Sequence, residues 1–300
     1  MGTSSLGLYV AAVLIWGCTW IAITFQLGRV PPEVSVAYRF GLASLLLLVW
    51  CATRGLRLAF PWRDHLWMAL QGVLLFGINY VCAYLAEGRI SSGLVALIFS
   101  LVALLNIFGT RIFFGTPLRP AAVFGAVLGI GGVTLVFLPG SSHPGGMGSP
   151  APGIALALVG TVSGSLGNMV TARNQGRGLP VVQLNAFGML YGAVLVGLYA
   201  LSMGLPFVFD TSARYLISLF YLTLFGSVFA FGAYLTLIGR IGAARAGYAM
   251  VAVPMVALLV STLFEGLPWR SHMLLGAGLC VAGNVLLLHG REKQLPTRQQ

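Results

Sequence analysis

The chain contains one of its own segments twice, and this repeat limits the possible folds more than any other feature. Shifted against itself by 151 positions, the sequence aligns Gly88–Leu135 without a gap with Gly239–Leu286. The matches include Gly, Pro and Arg residues, each with its own backbone or charge cost. They are Gly88-Arg89-Ile90, Gly115, Pro117, Arg119, Gly125 and Gly132, paired with Gly239-Arg240-Ile241, Gly266, Pro268, Arg270, Gly276 and Gly283. Self-similarity at a fixed offset indicates a duplicated architecture.

The composition indicates that the repeat lies in a lipid bilayer. Hydrophobic residues make up 58 % of the 300 residues and charged residues only 8 %, whereas a soluble domain has about 25 % charged residues. The formal charge of +11 would suggest nucleic acid, but the charges lie in short runs between apolar stretches. We therefore expect an all-α membrane protein whose partners are the bilayer and small molecules, without nucleic acid.

Ten stretches are long and apolar enough to cross a bilayer, which takes roughly 20 residues. They are Leu6–Phe25, Val34–Ala52, Leu66–Ala86, Ser91–Phe113, Ala121–Leu138, Gly153–Ala172, Val181–Met203, Tyr215–Ile238, Ala243–Phe264 and His272–His289. The longest connection is rich in Pro and Gly and acts as a flexible tether. The chain thus divides into a first five-helix repeat (1–139), a linker (140–152), a second five-helix repeat (153–290) and a polar tail (291–300).

The distribution of Arg and Lys predicts the orientation. If the N-terminus is cytoplasmic, twelve of these residues fall on inner connections and the tail, four fall on outer connections, and Arg39 stays inside a span. Positive charge marks the cytoplasmic side, so both termini are predicted to be cytoplasmic. Because each half holds an odd number of spans, the two repeats should be inverted relative to each other. Inverted repeats are typical of transporters with a site near the midplane, although a duplication without consequence for transport is the alternative.

The sequence predicts no metal, cofactor or ATP site. The four cysteines, Cys18, Cys51, Cys82 and Cys280, lie within apolar stretches without the spacing of a metal site or disulfide framework. A P-loop is absent from the sequence as well. We therefore expect secondary transport, either passive or linked to protons.

Several motifs resemble the drug/metabolite transporter superfamily, in its branch with two EamA-type five-helix repeats. The first span reads Ile15-Trp16-Gly17-Cys18-Thr19-Trp20, and the second runs from Pro32 to Tyr38-Arg39-Phe40. The second half carries Pro254, Leu263-Phe264-Glu265-Gly266, Gly276 and Gly283 in the family's order. The first half departs from the pattern, with Ala103 in place of Pro and Phe114 in place of Glu.

Within the superfamily, the chain is most similar to bacterial aromatic amino acid exporters of the inner membrane. The length, the Asn79-Tyr80 pair and the Gly-rich sixth span carry this likeness. It implies ten helices around a central cavity, in a monomer that exports Phe, Tyr and Trp, and also Thr and Met. It also implies pocket positions, some of them small here, which suggests loose selectivity. These are Ser100, Val102, Gly164 and Met250.

Aromatic and polar residues supply further candidates for the pocket. Phe76, Tyr80 and Tyr84 share one helix face, and the repeat offset places Phe231 opposite Tyr80, with Tyr234 nearby. Intramembrane polar groups usually face the bundle interior, which applies to Asn79, Ser163 and Asn168. Packing of the rings, and hydrogen bonds between helices for the polar groups, are the alternatives. Pro254 frees a backbone carbonyl, so a kink there either lines the cavity or only shapes the bundle.

Charged residues near the membrane leave two hypotheses open. Arg39 is costly inside a span, so it either extends outward to the interface or binds a substrate carboxylate. Glu87 and Glu265 lie at span ends, where each is a proton site, is solvated, or pairs with a nearby arginine (Arg89 or Arg270).

Two other functions compete with amino acid export. A membrane-embedded enzyme needs a nucleophile with a base or a pair of aspartates, and the sequence lacks such a motif. A transporter of the same fold for drugs or other metabolites fits the repeat equally well. A nucleotide-sugar site would require several buried cations for phosphate, and only Arg39 is available. The chain is therefore predicted not to be an enzyme.

Overall fold

The computed structural model describes residues 3–115, 117, 120–136 and 149–292, and within these ranges it does not describe the side chains of residues 3, 4, 122, 235–248, 250, 251, 284 and 287–292. All regular secondary structure in the described ranges is helical. The helices are α1 (Thr3–Thr24), α2 (Pro32–Thr53), α3 (Trp62–Gln71), α4 (Asn79–Glu87), α5 (Ser92–Phe99), α6 (Val102–Phe114), α7 (Pro120–Val136), α8 (Ala151–Gly176), α9 (Val181–Ser202), α10 (Ala213–Phe220), α11 (Ala230–Glu265) and α12 (Ser271–Glu292). Two π-helical segments, Gly72–Ile78 and Tyr221–Phe229, join α3 to α4 and α10 to α11.

The helices follow the order of the predicted spans. Seven of them are long and apolar enough to cross a membrane: Ser5–Thr24, Pro32–Thr53, Trp62–Glu87, Ser92–Phe114, Ala151–Gly176, Val181–Ser202 and Ala213–Tyr234. Three shorter apolar helices, Val123–Val136, Ala252–Glu265 and Ser271–Gly283, coincide with the fifth, ninth and tenth predicted spans. The protein is therefore a multi-pass helical membrane protein. Most of the predicted linker and tail lies outside the described residues.

The fourth predicted span is broken in its middle. Helix α5 ends at Phe99 and α6 starts at Val102, although neither Gly nor Pro stands between them. The Ser100 hydroxyl donates to the Leu97 carbonyl at 2.7 Å. The backbone N–H of Leu101 donates to the Ile98 carbonyl, three residues back instead of four. A serine hydroxyl competes with the backbone for carbonyl groups in this way, so the helix tightens and restarts here.

The eighth and ninth predicted spans are joined within α11. The sequence places the boundary between these two spans at Gly239-Arg240-Ile241, and the helix continues through it. A straight helix would separate Phe231 from Val253 by about 33 Å. Yet Phe231 contacts the Trp16 ring, and the Val253 carbonyl lies against the neighbouring Gly17. The stretch from Phe231 to Val253 is therefore not one straight helix.

The repeat detected in the sequence has structural counterparts at the same offset. Shifted by 151 residues, the first π-helical segment falls on residues 223–229, inside the second segment. Gly115 and Gly266, which the offset also pairs, end α6 and α11 with φ angles of 68° and 65°. Only glycine adopts this left-handed conformation without strain, so both halves end this helix by the same device.

Helices α7 and α12 contact each other reciprocally. A Cβ atom built on Gly132 would lie 2.5 Å from the Gly276 carbonyl oxygen, and one on Gly283 would lie 2.5 Å from that of Gly125. Since the offset pairs Gly125 with Gly276 and Gly132 with Gly283, each contact is the copy of the other. Later residues of α7 meet earlier residues of α12, so the two helices run antiparallel. A self-complementary contact of this kind is typical of a local two-fold axis.

One face of the bundle presents apolar side chains to the surroundings. On α2, Leu42, Leu45, Leu46 and Val49 are 43–57 % exposed and share a helix face. The opposite face of α2 packs on α9 and includes the buried residue Phe40. An exposed apolar stripe is unfavourable in water, so this face is the one that contacts lipid.

Candidate functional site

Arg39 lies inside the bundle, and the prediction that it extends outward to the interface is wrong. Its side chain is 1 % exposed, and its Nε donates to the Ser227 hydroxyl at 3.3 Å. The guanidinium carbon lies 4.7 Å from the Tyr80 ring centre and 5.0 Å from that of Phe40. Aromatic faces attract a cation, which partly offsets the cost of burial.

One nitrogen of Arg39 remains without a partner. Among the described residues, no hydrogen-bond acceptor or carboxylate satisfies Nη1. A buried cation normally has an anionic partner, because an unpaired buried charge costs several kcal/mol. The Arg39 side chain can therefore accept a further anionic ligand without breaking an existing ion pair.

The second π-helical segment shapes the space around Arg39. Its Gly226 lets two neighbours approach, since a Cβ atom there would lie 2.8 Å from Cγ2 of Thr19 and 3.4 Å from Nη2 of Arg39. The Gly226 carbonyl accepts a hydrogen bond from the Trp16 indole at 3.2 Å. A π-helix often marks functional sites, because it redirects backbone groups and side chains.

Six rings form a continuous aromatic cluster beside Arg39. Ring centres lie 4.6 Å apart for Tyr80 and Phe40, 5.2 Å for Phe40 and Phe76, 6.2 Å for Phe76 and Phe231, 5.3 Å for Phe231 and Trp16, and 5.2 Å for Trp16 and Tyr234. Tyr80, Phe231 and Tyr234, all predicted site residues, thus belong to one cluster. The ring contacts connect Tyr80 to Phe231 by way of Phe40 and Phe76, and not by direct stacking of the two rings.

Tyr84 is a core residue with a polar partner. Its side chain is fully buried, and its hydroxyl donates to Oε1 of Gln26 at 2.8 Å. The Nε2 atom of Gln26 has no partner among the described residues. Tyr84 therefore borders the polar groups near Arg39 instead of offering a free ring face.

The two glutamates differ from each other, and among the described residues neither forms the ion pair with arginine that was one of the alternatives. Glu87 is only 6 % exposed, and both carboxyl oxygens lack a hydrogen-bond partner within the described chain. The nearby Arg89 donates instead to the Leu85 carbonyl at 2.6 Å. Glu265 accepts hydrogen bonds from the backbone and hydroxyl of Ser92 at 3.1 and 2.6 Å, and from the Ser261 hydroxyl.

The predicted polar residues of the sixth span make contacts between helices. Ser163 donates to the Leu74 carbonyl in the first π-helical segment at 2.7 Å. Asn168 donates to Oδ1 of Asn106 at 3.4 Å. A Cβ atom on Gly164 would lie 2.5 Å from Nδ2 of Asn79. The recorded contacts of these positions therefore hold α8 against the third and fourth spans.

The remaining predicted residues lie on the fourth and ninth spans. Ser100 is buried at the break between α5 and α6, and Val102, half-buried, begins α6. Phe99, next to this break, contacts Trp20 at 5.0 Å, one turn of α1 beyond Trp16. Pro254 is buried inside α11, and its kink stays a prediction. The Met250 side chain lies outside the described residues.

Sequence reasoning missed three residues of this site. Trp16 and Phe40 were recognised only as parts of motifs, and Gln26 not at all. In a chain rich in Phe and Leu, periodicity alone does not separate a ring that contacts Arg39 from one that faces lipid. A glutamine at the end of an apolar span was the one available signal, since polar groups at membrane depth usually serve a function.

The sequence is similar to known transporters over nearly its whole length. The sequence model of the EamA-like transporter family matches residues 3–138 and 151–289. The inner membrane transporter YedA of Escherichia coli K12 is 30 % identical over 95 % of this chain and 90 % of its own length. Protein PagO of Salmonella typhimurium is 22 % identical over 97 % of this chain and 95 % of its own. A transporter of Archaeoglobus fulgidus is 25 % identical over 93 % and 96 %.

A protein of known crystal structure has the same fold. It superposes with a TM-score of 0.66 at 21 % sequence identity, over 98 % of this chain and 100 % of that protein. The match extends over both halves, so the arrangement of helices described above is a known one.

Proposed function

Since the chain belongs to the EamA-like transporter family, we propose that it is a secondary transporter that exports aromatic and other neutral amino acids across the bacterial inner membrane. Its substrates are Phe, Tyr and Trp, with Thr and Met accepted because selectivity is loose. No cofactor takes part. Relatives that are named inner membrane transporters support the location.

The observation that carries this proposal is the environment of Arg39. An aromatic amino acid offers a carboxylate and a ring, and a pocket for it needs a cation beside apolar and aromatic walls. The guanidinium of Arg39, whose Nη1 has no partner in the described part of the chain, supplies the cation, and guanidinium binds carboxylates well through parallel hydrogen bonds. Tyr80, Phe231 and Trp16 supply the ring contacts, which favour edge-to-face stacking.

Alternating access is the proposed mechanism. The antiparallel, reciprocal contact of α7 with α12 supports two inverted five-helix repeats, and rocking of one repeat on the other exposes a central site to each side in turn. Each half contributes to the Arg39 environment, since α2 carries Arg39 and the second π-helical segment carries Ser227. Relative motion of the halves therefore changes the site directly.

We also propose that both termini are cytoplasmic and that the monomer is the transporting unit. The distribution of Arg and Lys supports the orientation. Labelling of single cysteines introduced at Ser4 and Arg298 in intact cells tests it. Labelling of either position by a membrane-impermeant reagent added outside would contradict the proposal.

Counterflow in liposomes tests the transport function. Vesicles loaded with unlabelled phenylalanine should accumulate labelled phenylalanine, and Trp, Tyr, Thr and Met should compete. Phenylalaninamide, which lacks the carboxylate, should compete at least about tenfold less well if Arg39 binds that group. Absence of saturable counterflow by all five amino acids would refute the proposal. Competition by unrelated metabolites alone would indicate a different cargo on the same fold.

A pair of arginine variants separates the binding role of Arg39 from general charge effects. Arg39→Gln should abolish counterflow of phenylalanine. Arg29→Gln is the matched control, because Arg29 is exposed and its Nη1 lies 3.9 Å from Oδ1 of Asp210, away from the Arg39 environment. Equal counterflow in the two variants, at equal expression and elution volume, would argue against Arg39 as the carboxylate-binding residue.

A further inference from the structure

Glu87 is a buried acid that the proposed transport cycle does not yet use. It is the last residue of α4, one turn beyond Tyr84, and its side chain is 6 % exposed. Neither carboxyl oxygen has a hydrogen-bond partner within the described residues. Polar side chains buried at membrane depth are rare, and ionisable ones usually serve in ion or proton pathways.

The charged groups around Glu87 are few. The charges that act on its carboxyl belong to Glu265 of α11 and Arg39 of α2. Helices α1 and α5, which also pack on α4, carry no acidic or basic residue. On α8, the only charged residue is Arg173, about 30 Å along the helix from the end that contacts Arg89.

Neither of the two neighbouring groups neutralises an ionised Glu87, because Glu265 is itself an acid and Arg39 forms no ion pair with Glu87 among the described residues. Glu265 is already held by Ser92 and Ser261, and Arg39 donates to Ser227. An ionised carboxylate without partners costs several kcal/mol to bury. The neutral, protonated acid is therefore the form of Glu87 that fits this conformation.

The position of Glu87 gives a proton a short route to solvent. The next two residues, Gly88 and Arg89, are exposed in the turn between α4 and α5. In the opposite direction along α4, Tyr84 lies one turn before Glu87 with its hydroxyl on Gln26, and the charge of Arg39 acts on both Tyr84 and Glu87. The Glu87 carboxyl thus lies between an open turn and the candidate substrate site.

We propose that Glu87 is the proton-binding site that couples transport, exchanging one proton for one zwitterionic amino acid. The inference rests on the proposed function. Protonated Glu87 and Arg39 form a site with one net positive charge. When the zwitterion enters from the cytoplasm, its carboxylate pairs with Arg39 and its ammonium with the Glu87 carboxylate, and the proton leaves to the cytoplasm. After the amino acid is released outside, Glu87 takes up the next proton through the exposed turn. Each cycle moves one proton inward and one amino acid outward, and one net positive charge moves with the proton.

Infrared spectroscopy tests the protonation of Glu87 without any substrate. The carbonyl stretch of a protonated carboxylic acid is separate from the bands of an ionised carboxylate, and the chain has only six acidic residues. The full-length protein in lipid at neutral pH should show this band. Glu87→Gln, a neutral analogue of the protonated acid, should lose it, and Glu33→Gln should keep it. Absence of the band in the wild type, or its persistence in the Glu87→Gln variant, would overturn the proposal.

A pH gradient across liposomes tests the coupling. With one proton per substrate and the membrane potential held at zero by a potassium ionophore, a difference of about one pH unit can hold about a tenfold concentration ratio. Acid-loaded vesicles should therefore accumulate phenylalanine up to about tenfold, and Glu87→Gln vesicles should stay near equality. Accumulation driven by an alkaline interior, or none with either gradient while counterflow persists, would overturn the exchange. If the infrared band behaves as expected and counterflow fails, the proton site stands and the proposed substrate class falls.

Discussion

The close approach of α7 and α12 leads to a sharp prediction about Gly132. A Cβ atom at this position would lie 2.5 Å from the Gly276 carbonyl oxygen, 2.7 Å from Sγ of Cys280 and 2.8 Å from its backbone nitrogen. Comfortable contacts between heavy atoms begin near 3.5 Å. Since two of the three atoms are backbone, the helices must separate by roughly 1 Å to accept one methyl group.

Separation of the two helices has a cost that can be bounded. Overpacking a tight contact costs about 1–3 kcal/mol, and the hydrogen bond from Cys280 to the Gly129 carbonyl at 3.4 Å would lengthen as well. We expect Gly132→Ala to destabilise the protein by about 2–3 kcal/mol. At roughly 2–4 °C per kcal/mol, the melting temperature should fall by several degrees.

Gly131→Ala is the matched control for this substitution. Nothing lies within 4 Å of a Cβ atom at Gly131, and both variants gain the same helix propensity over glycine. A thiol-reactive dye can follow melting in detergent, because Cys280 is buried and reacts on unfolding. The reciprocal variant Gly283→Ala should behave like Gly132→Ala. Equal melting of the Gly131→Ala and Gly132→Ala variants would refute both the close approach and its two-fold character.

Three further substitutions test other contacts. Glu265→Ala removes the carboxylate that holds Ser92 at the start of α5 and should cost at least about 2 kcal/mol, because hydrogen bonds to charged groups contribute about 1.5–3 kcal/mol each; an unchanged melting temperature would contradict this. Ser163→Ala leaves the Leu74 carbonyl without its donor and should cost about 0.6–1 kcal/mol, with Ser202→Ala as an exposed control that should not change melting. Tyr80→Ala should weaken phenylalanine counterflow more than Tyr80→Phe, because only the former loses the ring face beside Arg39; equal kinetics would remove Tyr80 from the site.

Much of the helical pattern could be read from the sequence because a bilayer requires long apolar stretches. Each of the ten predicted spans overlaps a described helix. The helix boundaries that differ from the predicted spans depend on local hydrogen bonding. Ser100 interrupts the fourth span at a point where neither Gly nor Pro stands, whereas the helix continues through the Ala- and Arg-rich stretch after Gly239, where the sequence placed the boundary between two spans.

The candidate site was harder to predict than the spans. Tyr80, Phe231 and Arg39 were identified as candidates and share one neighbourhood. Phe40 and Phe76 lie between Tyr80 and Phe231, and the ring contacts that they make were not predicted. Ring contacts between distant helices depend on rotation of each helix about its axis, which the π-helical segments alter. A simple periodic pattern does not contain that rotation.

The sequence alone determined that this is a duplicated, helical membrane protein, because apolar length and the spacing of Gly, Pro and Arg follow directly from the residue order. Only the tertiary structure decided where the charged side chains lie and which groups they contact. Arg39 turned inward against Tyr80, Glu265 bonded to serines, and Glu87 stayed buried without a hydrogen-bond partner among the described residues. The physical reason is that the energy of a charge at membrane depth depends on which groups surround it, and those groups come from distant parts of the chain.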